Sequence, residues 1–114
     1  MGYQVSTTDI ATFLKKAKKL ISSGRYDFVP RRKSIQSLAL HGMTIIDAKE
    51  ELQELAVDDY YKGPKQDFDL SKPGEIWEFK KEVYGILFYI KIKIVKENGE
   101  DILKCLGFHE DDFA

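Results

Sequence analysis

The chain has 114 residues, of which 43% are hydrophobic and 32% are charged, and its net charge is −1. This length predicts one domain with its own hydrophobic core. The sequence has no apolar run long enough to span a membrane and no signal-peptide pattern, and its single cysteine, Cys105, excludes an internal disulfide. We therefore expect a cytoplasmic protein.

The charge is unevenly distributed along the chain. Residues 1–43 contain eight basic and two acidic residues, a net charge of +6, and include the basic cluster Arg31-Arg32-Lys33. Such a cluster is usually a solvent-exposed surface, although it can also attract RNA. The total charge neither excludes nor indicates a nucleic-acid partner.

The first predicted element is an amphipathic helix. Apolar residues recur at helical spacing across residues 10–21, and lysines occupy the other faces. Thr7 or Thr8 can cap the start of this helix, and Gly24 can end it. Residues 26–29 then predict an edge strand or an extended link.

Two shorter helices and a loop are predicted next. Ser34 is the expected N-cap of a helix that ends at Gly42, and Thr44 is the expected N-cap of another, with Asp47 completing a capping box. Residues 63–74 contain two glycines, two prolines and several charges, which predicts a loop that carries Lys62 at its start.

The clearest pattern in the sequence is the alternation of side chains from Ile86 to Val95. One side of this predicted strand is apolar and the other is mostly polar, as expected for a half-buried strand. Tyr84-Gly85 precedes it and Asn98-Gly99 follows it as turn signals. Residues 75–109 therefore predict a three-stranded antiparallel meander, and helices followed by such a sheet predict an α+β fold.

A two-residue turn at Asn98-Gly99 predicts the pairing of the last two strands. In that register Phe88 lies opposite His109 on the apolar face, and Tyr89 lies opposite Phe108 on the other face. His109 is therefore expected to be partly buried and hydrogen-bonded. Cys105 falls on the apolar face as well and is expected to be a core thiol.

The turn at Tyr84-Gly85 predicts the pairing of the first two strands. It places Trp77 and Phe79 on the apolar face, which the helices are expected to cover. The uncovered face then carries the polar side chains of both strands, namely Glu78, Lys80, Tyr89 and Lys91.

This uncovered face is the candidate site, because the sequence contains no phosphate-binding glycine loop, metal-ligand spacing or nucleophile elbow. A carboxylate, lysines and a tyrosine on one rigid surface can take a proton from an RNA 2′-hydroxyl, balance charge on the phosphorane and protonate the leaving oxygen. The alternative is a cross-strand ion pair of Glu78 and Lys91 beside a surface tyrosine. Spacing alone favours this alternative.

Four short segments, in chain order, resemble a known family. They are Phe13-Leu14-Lys15-Lys16, Asp59-Tyr60-Tyr61-Lys62, Ile76-Trp77 and Phe88-Tyr89-Ile90-Lys91-Ile92. Over about residues 8–108 the chain resembles the motility quorum-sensing regulator (MqsR) family, which are toxins of bacterial type II toxin–antitoxin systems. The resemblance implies one RelE-like toxin domain over residues 1–114, with N-terminal helices packed on one face of a C-terminal antiparallel sheet. It also implies a metal-independent, sequence-selective mRNA endoribonuclease without a cofactor.

The resemblance also implies site residues. Lys62 matches the catalytic lysine of the family and Tyr89 its catalytic tyrosine, whereas Glu78 stands where the family has a glutamine. We expect Glu78 to act as base, and Tyr89 to orient the nucleophile or donate a proton. The residues expected to bind RNA are Lys80, Lys91, Arg31 and Arg32.

The expected partners are mRNA and a cognate antitoxin protein, with no membrane contact and no DNA contact by the toxin itself. The alternative is a non-catalytic RelE-like regulator from a mobile element that binds protein or RNA. The near-neutral charge and the replacement of glutamine by Glu78 favour this alternative.

Overall fold

A computed structural model describes residues 5–67 and 74–112 of the chain. These residues form an α+β fold in which three helices pack against a five-stranded mixed sheet. The elements are α1 (Thr7–Ser22), β1 (Tyr26–Phe28), α2 (Arg32–Leu40), α3 (Ile45–Gln53), a 3-10 turn (Val57–Asp59), β2 (Tyr60–Gln66), β3 (Glu75–Val83), β4 (Ile86–Glu97) and β5 (Glu100–Glu110). None of the helices within the described ranges is long and apolar enough to cross a lipid bilayer.

The strand order in the sheet is β1-β5-β4-β3-β2. Strand β1 runs parallel to β5, and the other neighbouring pairs are antiparallel. The prediction of an α+β fold is confirmed, and residues 26–28 do form an edge strand. The predicted antiparallel meander is present as β3, β4 and β5, but the sheet as a whole is mixed and not antiparallel, because the short β1 pairs in parallel with β5.

Capping residues explain where two of the helices begin. The N-cap of α1 is Ser6 and not Thr7 or Thr8 as predicted, and its Oγ accepts a hydrogen bond from the Asp9 amide at 3.0 Å. The predicted capping box at α3 is confirmed, because Thr44 Oγ1 accepts from the Asp47 amide at 3.1 Å. In each case an otherwise unpaired N–H at the helix start is satisfied.

Ser34 does not cap α2 as predicted. The helix already begins at Arg32, and Ser34 lies inside it with 1% of its surface exposed. Its Oγ accepts a hydrogen bond from the Phe108 amide of β5 at 2.9 Å. The serine therefore joins α2 to the sheet, which brings the basic residues at the start of α2 beside β5.

Strand β2 replaces the first part of the predicted loop. Residues 63–66 continue the strand that starts at Tyr60, and β2 pairs with β3 through two register irregularities. Lys62 therefore lies on a strand, opposite Glu78 of β3, and not in a loop. Residues 68–73 of the predicted loop lie outside the described residues.

Both predicted hairpin turns are present. Tyr84 and Asn98 have φ values of 52° and 54°, and the glycine after each also has a positive φ. The pairing of β3 with β4 agrees with the prediction, including Glu78 opposite Lys91 and Phe79 opposite Ile90. A short primed turn of this kind matches the twist of the strands that it joins.

Between the Asn98-Gly99 turn and Ile92, the pairing of β4 with β5 agrees with the prediction, and Ile92 lies opposite Cys105. A bulge between Lys91 and Ile92 then shifts the register by one residue, and Lys91 lies opposite Gly107. A glycine inside a strand often marks such a bulge, because it weakens regular pairing.

Because of the bulge, His109 and Phe108 each lie on the opposite face of the sheet from the one predicted. His109 lies opposite Tyr89, and Phe108 lies opposite Ile90 in the core, where it is fully buried. The predicted pairs Phe88–His109 and Tyr89–Phe108 are therefore wrong. His109 consequently stands on the same face of the sheet as Tyr89.

The hydrophobic core lies between the helices and one face of the sheet. Phe79 is fully buried and Trp77 is 9% exposed, as predicted. Phe13 of α1 stacks on Trp77 with ring centroids 4.3 Å apart. We call the opposite side of the sheet, which carries Tyr89 and His109, the open face.

Candidate functional site

Three neighbouring cavities cross the open face. The tyrosine cavity, of about 330 Å³, lies beside Tyr61 and Tyr89, and the central cavity, of about 240 Å³, lies between Tyr89 and Arg31. The apolar cavity, also of about 240 Å³, lies beyond Arg31. Tyr89 and His109 line the first two cavities, and Arg31 and Leu106 line the last two. The cavities therefore form one groove.

Tyr89 is held by a buried carboxylate. Its hydroxyl donates a hydrogen bond to Oε1 of Glu78 on the neighbouring strand, and Lys65 Nζ of β2 lies 2.5 Å from Oε2 of Glu78. Glu78 is only 2% exposed. A carboxylate at such a depth needs partners of this kind, because burial of an unpaired charge is costly. Glu78 lies on the predicted face, but beneath the groove surface.

His109 lies next to Tyr89 in the groove. The two ring centroids are 5.3 Å apart, and Nδ1 of His109 is 2.9 Å from the carbonyl oxygen of Glu110. A carbonyl oxygen only accepts, so Nδ1 carries the proton and Nε2 of the neutral ring carries a lone pair. Within residues 5–67 and 74–112, Nε2 makes no hydrogen bond. His109 is thus available to accept a proton.

Positively charged side chains are concentrated around the central cavity. Arg31, Lys33 and Lys91 line it, and no carboxylate of the described residues does. Lys33 pairs with Asp112, whereas Arg31 and Lys91 have no ion-pair partner in the part of the chain that the structure describes. Burial lowers the pKa of Lys91, and the charge of Arg31 lowers it further. Like charges held together in this way favour the binding of an anion such as a phosphate group.

The lysines of the tyrosine cavity differ in their pairing. Lys80 Nζ lies 2.8 Å from Oδ2 of Asp111 and 4.1 Å from the ring centroid of Tyr61. The hydrogen bond to Asp111 raises the pKa of Lys80. Lys62, in contrast, is exposed and makes no ion pair within the described ranges, and its Nζ lies 5.1 Å from the Tyr61 ring centroid. The ammonium group of Lys62 is therefore more accessible to a ligand than that of Lys80, which is paired with Asp111.

Most of the predicted site residues meet in the groove. The tyrosine cavity contains Lys62, Glu78, Lys80 and Tyr89, and the central cavity contains Tyr89, Lys91 and Arg31. Arg32, in the first turn of α2, lines none of the three cavities.

Three groups at the site are not predicted by the sequence pattern. The regular register assigns His109 to the other face, although Gly107 inside the strand pattern is a signal for a bulge. Lys65 falls within the predicted loop. Asp111 follows the end of β5, and no sequence pattern indicates that it pairs with Lys80.

No known family model matches the chain, and no curated protein is significantly similar to it. The chemistry of the groove is therefore the basis on which a function can be assigned. It combines a proton acceptor, a hydrogen-bonded phenol and cations that have no ion-pair partner among the described residues.

Proposed function

We propose that the protein is a metal-independent endoribonuclease, a type II toxin of the MqsR kind with a RelE-like version of the α+β fold. The supporting observation is the meeting of Tyr89 and His109 beside a cavity lined by Arg31 and Lys91, two cations without carboxylate partners among the described residues. Cleavage through the RNA 2′-hydroxyl requires a proton acceptor, stabilisation of phosphate charge and a proton for the leaving oxygen.

The central cavity holds the reacting phosphate in this proposal. Arg31 and Lys91 contact its non-bridging oxygens and stabilise the additional charge of the phosphorane. His109 lies at the border with the tyrosine cavity and takes the proton of the 2′-hydroxyl at Nε2. The 2′-oxygen forms a bond to phosphorus, and the bond from phosphorus to the 5′-oxygen breaks.

Tyr89 and Lys62 complete the reaction from the tyrosine cavity. Because the phenolic hydrogen of Tyr89 is directed at Glu78, the phenolic oxygen can accept a hydrogen bond from another donor of the bound nucleotide and so position the ribose, while the single hydrogen of the 2′-hydroxyl is donated to Nε2 of His109. The ammonium group of Lys62 donates the proton to the leaving 5′-oxygen. The products are a 2′,3′-cyclic phosphate and a free 5′-hydroxyl. Glu78 positions Tyr89 in this scheme and does not meet the substrate.

A non-catalytic RNA-binding or protein-binding regulator is the second candidate. The observation in its favour is the position of Glu78, which is 2% exposed and has both oxygens engaged by Tyr89 and Lys65. The carboxylate expected from the sequence to act as base thus lines the tyrosine cavity with very little exposed surface, and both of its oxygens already have partners. In this candidate the cations of the groove bind the RNA backbone and no bond is broken.

Cleavage of a defined RNA distinguishes the two candidates. The purified protein is incubated with single-stranded RNA of mixed sequence in the presence of a metal chelator, and the product ends are identified. We expect fragments with 2′,3′-cyclic phosphate and 5′-hydroxyl ends. The matched control is the same RNA with a 2′-deoxynucleotide at the cleaved position, which should remain intact. Binding of both RNAs without cleavage of either supports the regulator.

The proposal also requires an antitoxin protein and mRNA as the cellular target. Regulated expression in a bacterium, with mapping of mRNA ends, tests the target. Co-expression of a small protein encoded in the adjacent reading frame tests the partner, and we expect it to restore growth. Growth that is unaffected by expression of the toxin alone contradicts the toxin assignment.

A further inference from the structure

The base of the apolar cavity, which we call its floor, is formed by apolar side chains that are not part of the hydrophobic core. Val29, Val95 of β4 and Leu106 at the bulge of β5 line it. Val95 and Leu106 are only 5% and 6% exposed, yet neither belongs to the cluster of buried residues between the helices and the sheet. The open face therefore contains a small apolar depression in a surface that is otherwise mostly polar.

Ion pairs fix the rim of this cavity. Lys93 Nζ lies 2.8 Å from Oδ2 of Asp67, and Lys104 Nζ lies 2.6 Å from Oε2 of Glu97. The rim thus presents both hydrogen-bond donors and acceptors around an apolar floor. Arg31 stands where this cavity meets the central cavity and has no ion-pair partner within the described residues.

We propose that the apolar cavity is a subsite for one base of single-stranded RNA, whose adjoining phosphate lies in the central cavity; this rests on the proposed function. A cavity of about 240 Å³ is smaller than the about 300–1,000 Å³ of sites for drug-sized ligands, and a single base is a small, flat ligand. Single-stranded RNA is typically read by holding an unstacked base against apolar or guanidinium surfaces and hydrogen-bonding its edges. Here the floor supplies the apolar surface, Arg31 supplies the guanidinium group, and the rim supplies hydrogen-bonding groups for the edges of the base.

The charge balance favours a nucleotide over a neutral apolar ligand. Of the described residues, four cations (Arg31, Lys93, Lys96 and Lys104) and two carboxylates (Asp67 and Glu97) line the apolar cavity, and together they carry a net charge of +2. The adjoining central cavity adds Lys33 and Lys91 and no carboxylate from the described residues. In a bound nucleotide the base can pack against the apolar floor while the negatively charged phosphate lies near the surrounding cations.

The test measures binding separately from cleavage. Fluorescently labelled 2′-O-methyl oligoribonucleotides, which have no free 2′-hydroxyl to attack, are compared as four homopolymers, and the tightest binder is then scanned with one abasic nucleotide at each position. We expect one position at which loss of the base weakens binding about tenfold, equivalent to about 1.4 kcal/mol.

Leu106→Ala removes part of the floor, and it should weaken binding of the intact oligonucleotide about tenfold. It should add little to the loss caused by the critical abasic nucleotide, because both changes remove the same contact. Leu40→Ala is the matched control, since Leu40 is 76% exposed on α2 and lines none of the three cavities. Val29→Ala repeats the test if Leu106→Ala does not fold.

The outcomes separate this inference from the proposed function. Coupling between the abasic position and Leu106→Ala supports the subsite, whether or not natural RNA is cleaved. Cleavage of RNA together with equal losses at every abasic position overturns the subsite alone. Absence of binding to all four homopolymers, together with binding of natural RNA of mixed sequence, overturns the subsite alone. Absence of binding to the homopolymers and to natural RNA overturns both the subsite and the proposed function.

Discussion

The hydroxyl of Tyr89 donates a hydrogen bond to Oε1 of Glu78 across two neighbouring strands. The bond determines how the tyrosine faces the groove, because its hydrogen points inward and its remaining lone pairs are left for a ligand. Lys65 engages the second oxygen of Glu78 at 2.5 Å. The carboxylate of Glu78 thus holds the Tyr89 hydroxyl in position. The proton acceptor of the proposed reaction is therefore His109 and not Glu78.

Replacement of Glu78 by glutamine should preserve RNA cleavage. The amide oxygen can still accept the hydrogen bond from Tyr89, so the phenol keeps its orientation. Lys65 loses its anionic partner and becomes free to contact RNA, which should tighten binding and steepen the slope of log K against log salt concentration by about 0.7. Cleavage assays and salt titrations of RNA binding measure the two effects. Loss of cleavage with normal binding would instead assign the base role to Glu78.

His109→Gln should lower the rate of RNA cleavage by about 100-fold or more, the usual contribution of a general base. RNA affinity should change little, because Arg31 and Lys91, the cations that bind the phosphate in this proposal, are retained. His41→Gln is the matched control, since His41 lines none of the three cavities and its Nε2 lies 2.6 Å from Oε1 of Glu110. Equal cleavage by the His109 variant and the wild type would remove His109 from the mechanism.

Local patterns predict the central hairpins well. The alternation in β4 and the turns at Tyr84-Gly85 and Asn98-Gly99 are set by neighbouring residues, and the observed β3–β4 register agrees with the prediction. The capping box of Thr44 and Asp47 is equally local. The alternation and the first turn together are sufficient to place the central polar residues of β3 and β4 on one face of the sheet.

Features that depend on distant parts of the chain are not predicted. The parallel pairing of β1 with β5 joins residues about 80 positions apart, and no local pattern encodes such a partner. Strand β2 contains Gly63 and Pro64, which are unfavourable in strands and suggest a loop. The bulge depends on how β5 fits against both β4 and α2, where Ser34 binds the Phe108 amide.

Cys105 should react slowly with thiol reagents in the native protein, as expected from its position on the apolar face. It is fully buried, and burial raises the pKa of its thiol to about 12. The reactive thiolate is therefore scarce as well as inaccessible. Labelling by a chromogenic disulfide reagent, with and without denaturant, measures the difference. Rapid labelling without denaturant would contradict the assignment of Cys105 to the core.

The same thiol should make stability fall at alkaline pH. The unfolded chain releases the proton near the ordinary thiol pKa, whereas the folded protein retains it until about pH 12. Stabilisation by the protonated thiol is complete below the unfolded pKa and is lost as pH rises toward the folded one. Urea unfolding of wild type and Cys105→Ala at several pH values isolates this contribution. The wild type should show the steeper decline.

Lys62→Ala tests the leaving-group side of the proposed reaction. Lys62 is exposed and has no ion-pair partner within the described residues, so its truncation should change the free energy of unfolding by only about 0.5 kcal/mol. Loss of a charged group at the phosphoryl centre should lower cleavage about 100-fold. Lys15→Ala on α1 is the matched control, because it removes the same charge from an exposed lysine outside the groove.

Tyr89→Phe tests the orienting group while the aromatic ring stays in place beside His109. The variant leaves Oε1 of the buried Glu78 without its donor, which should cost about 1–3 kcal/mol of stability. Pairing it with Glu78→Gln removes the buried negative charge and should restore part of that stability without restoring cleavage. Cleavage rates and urea unfolding of both variants separate the two contributions. Normal cleavage by both Tyr89→Phe and Lys62→Ala would remove these two groups from the mechanism. Growth inhibition that is unchanged in both variants, without RNA cleavage by the wild type, would favour the non-catalytic regulator.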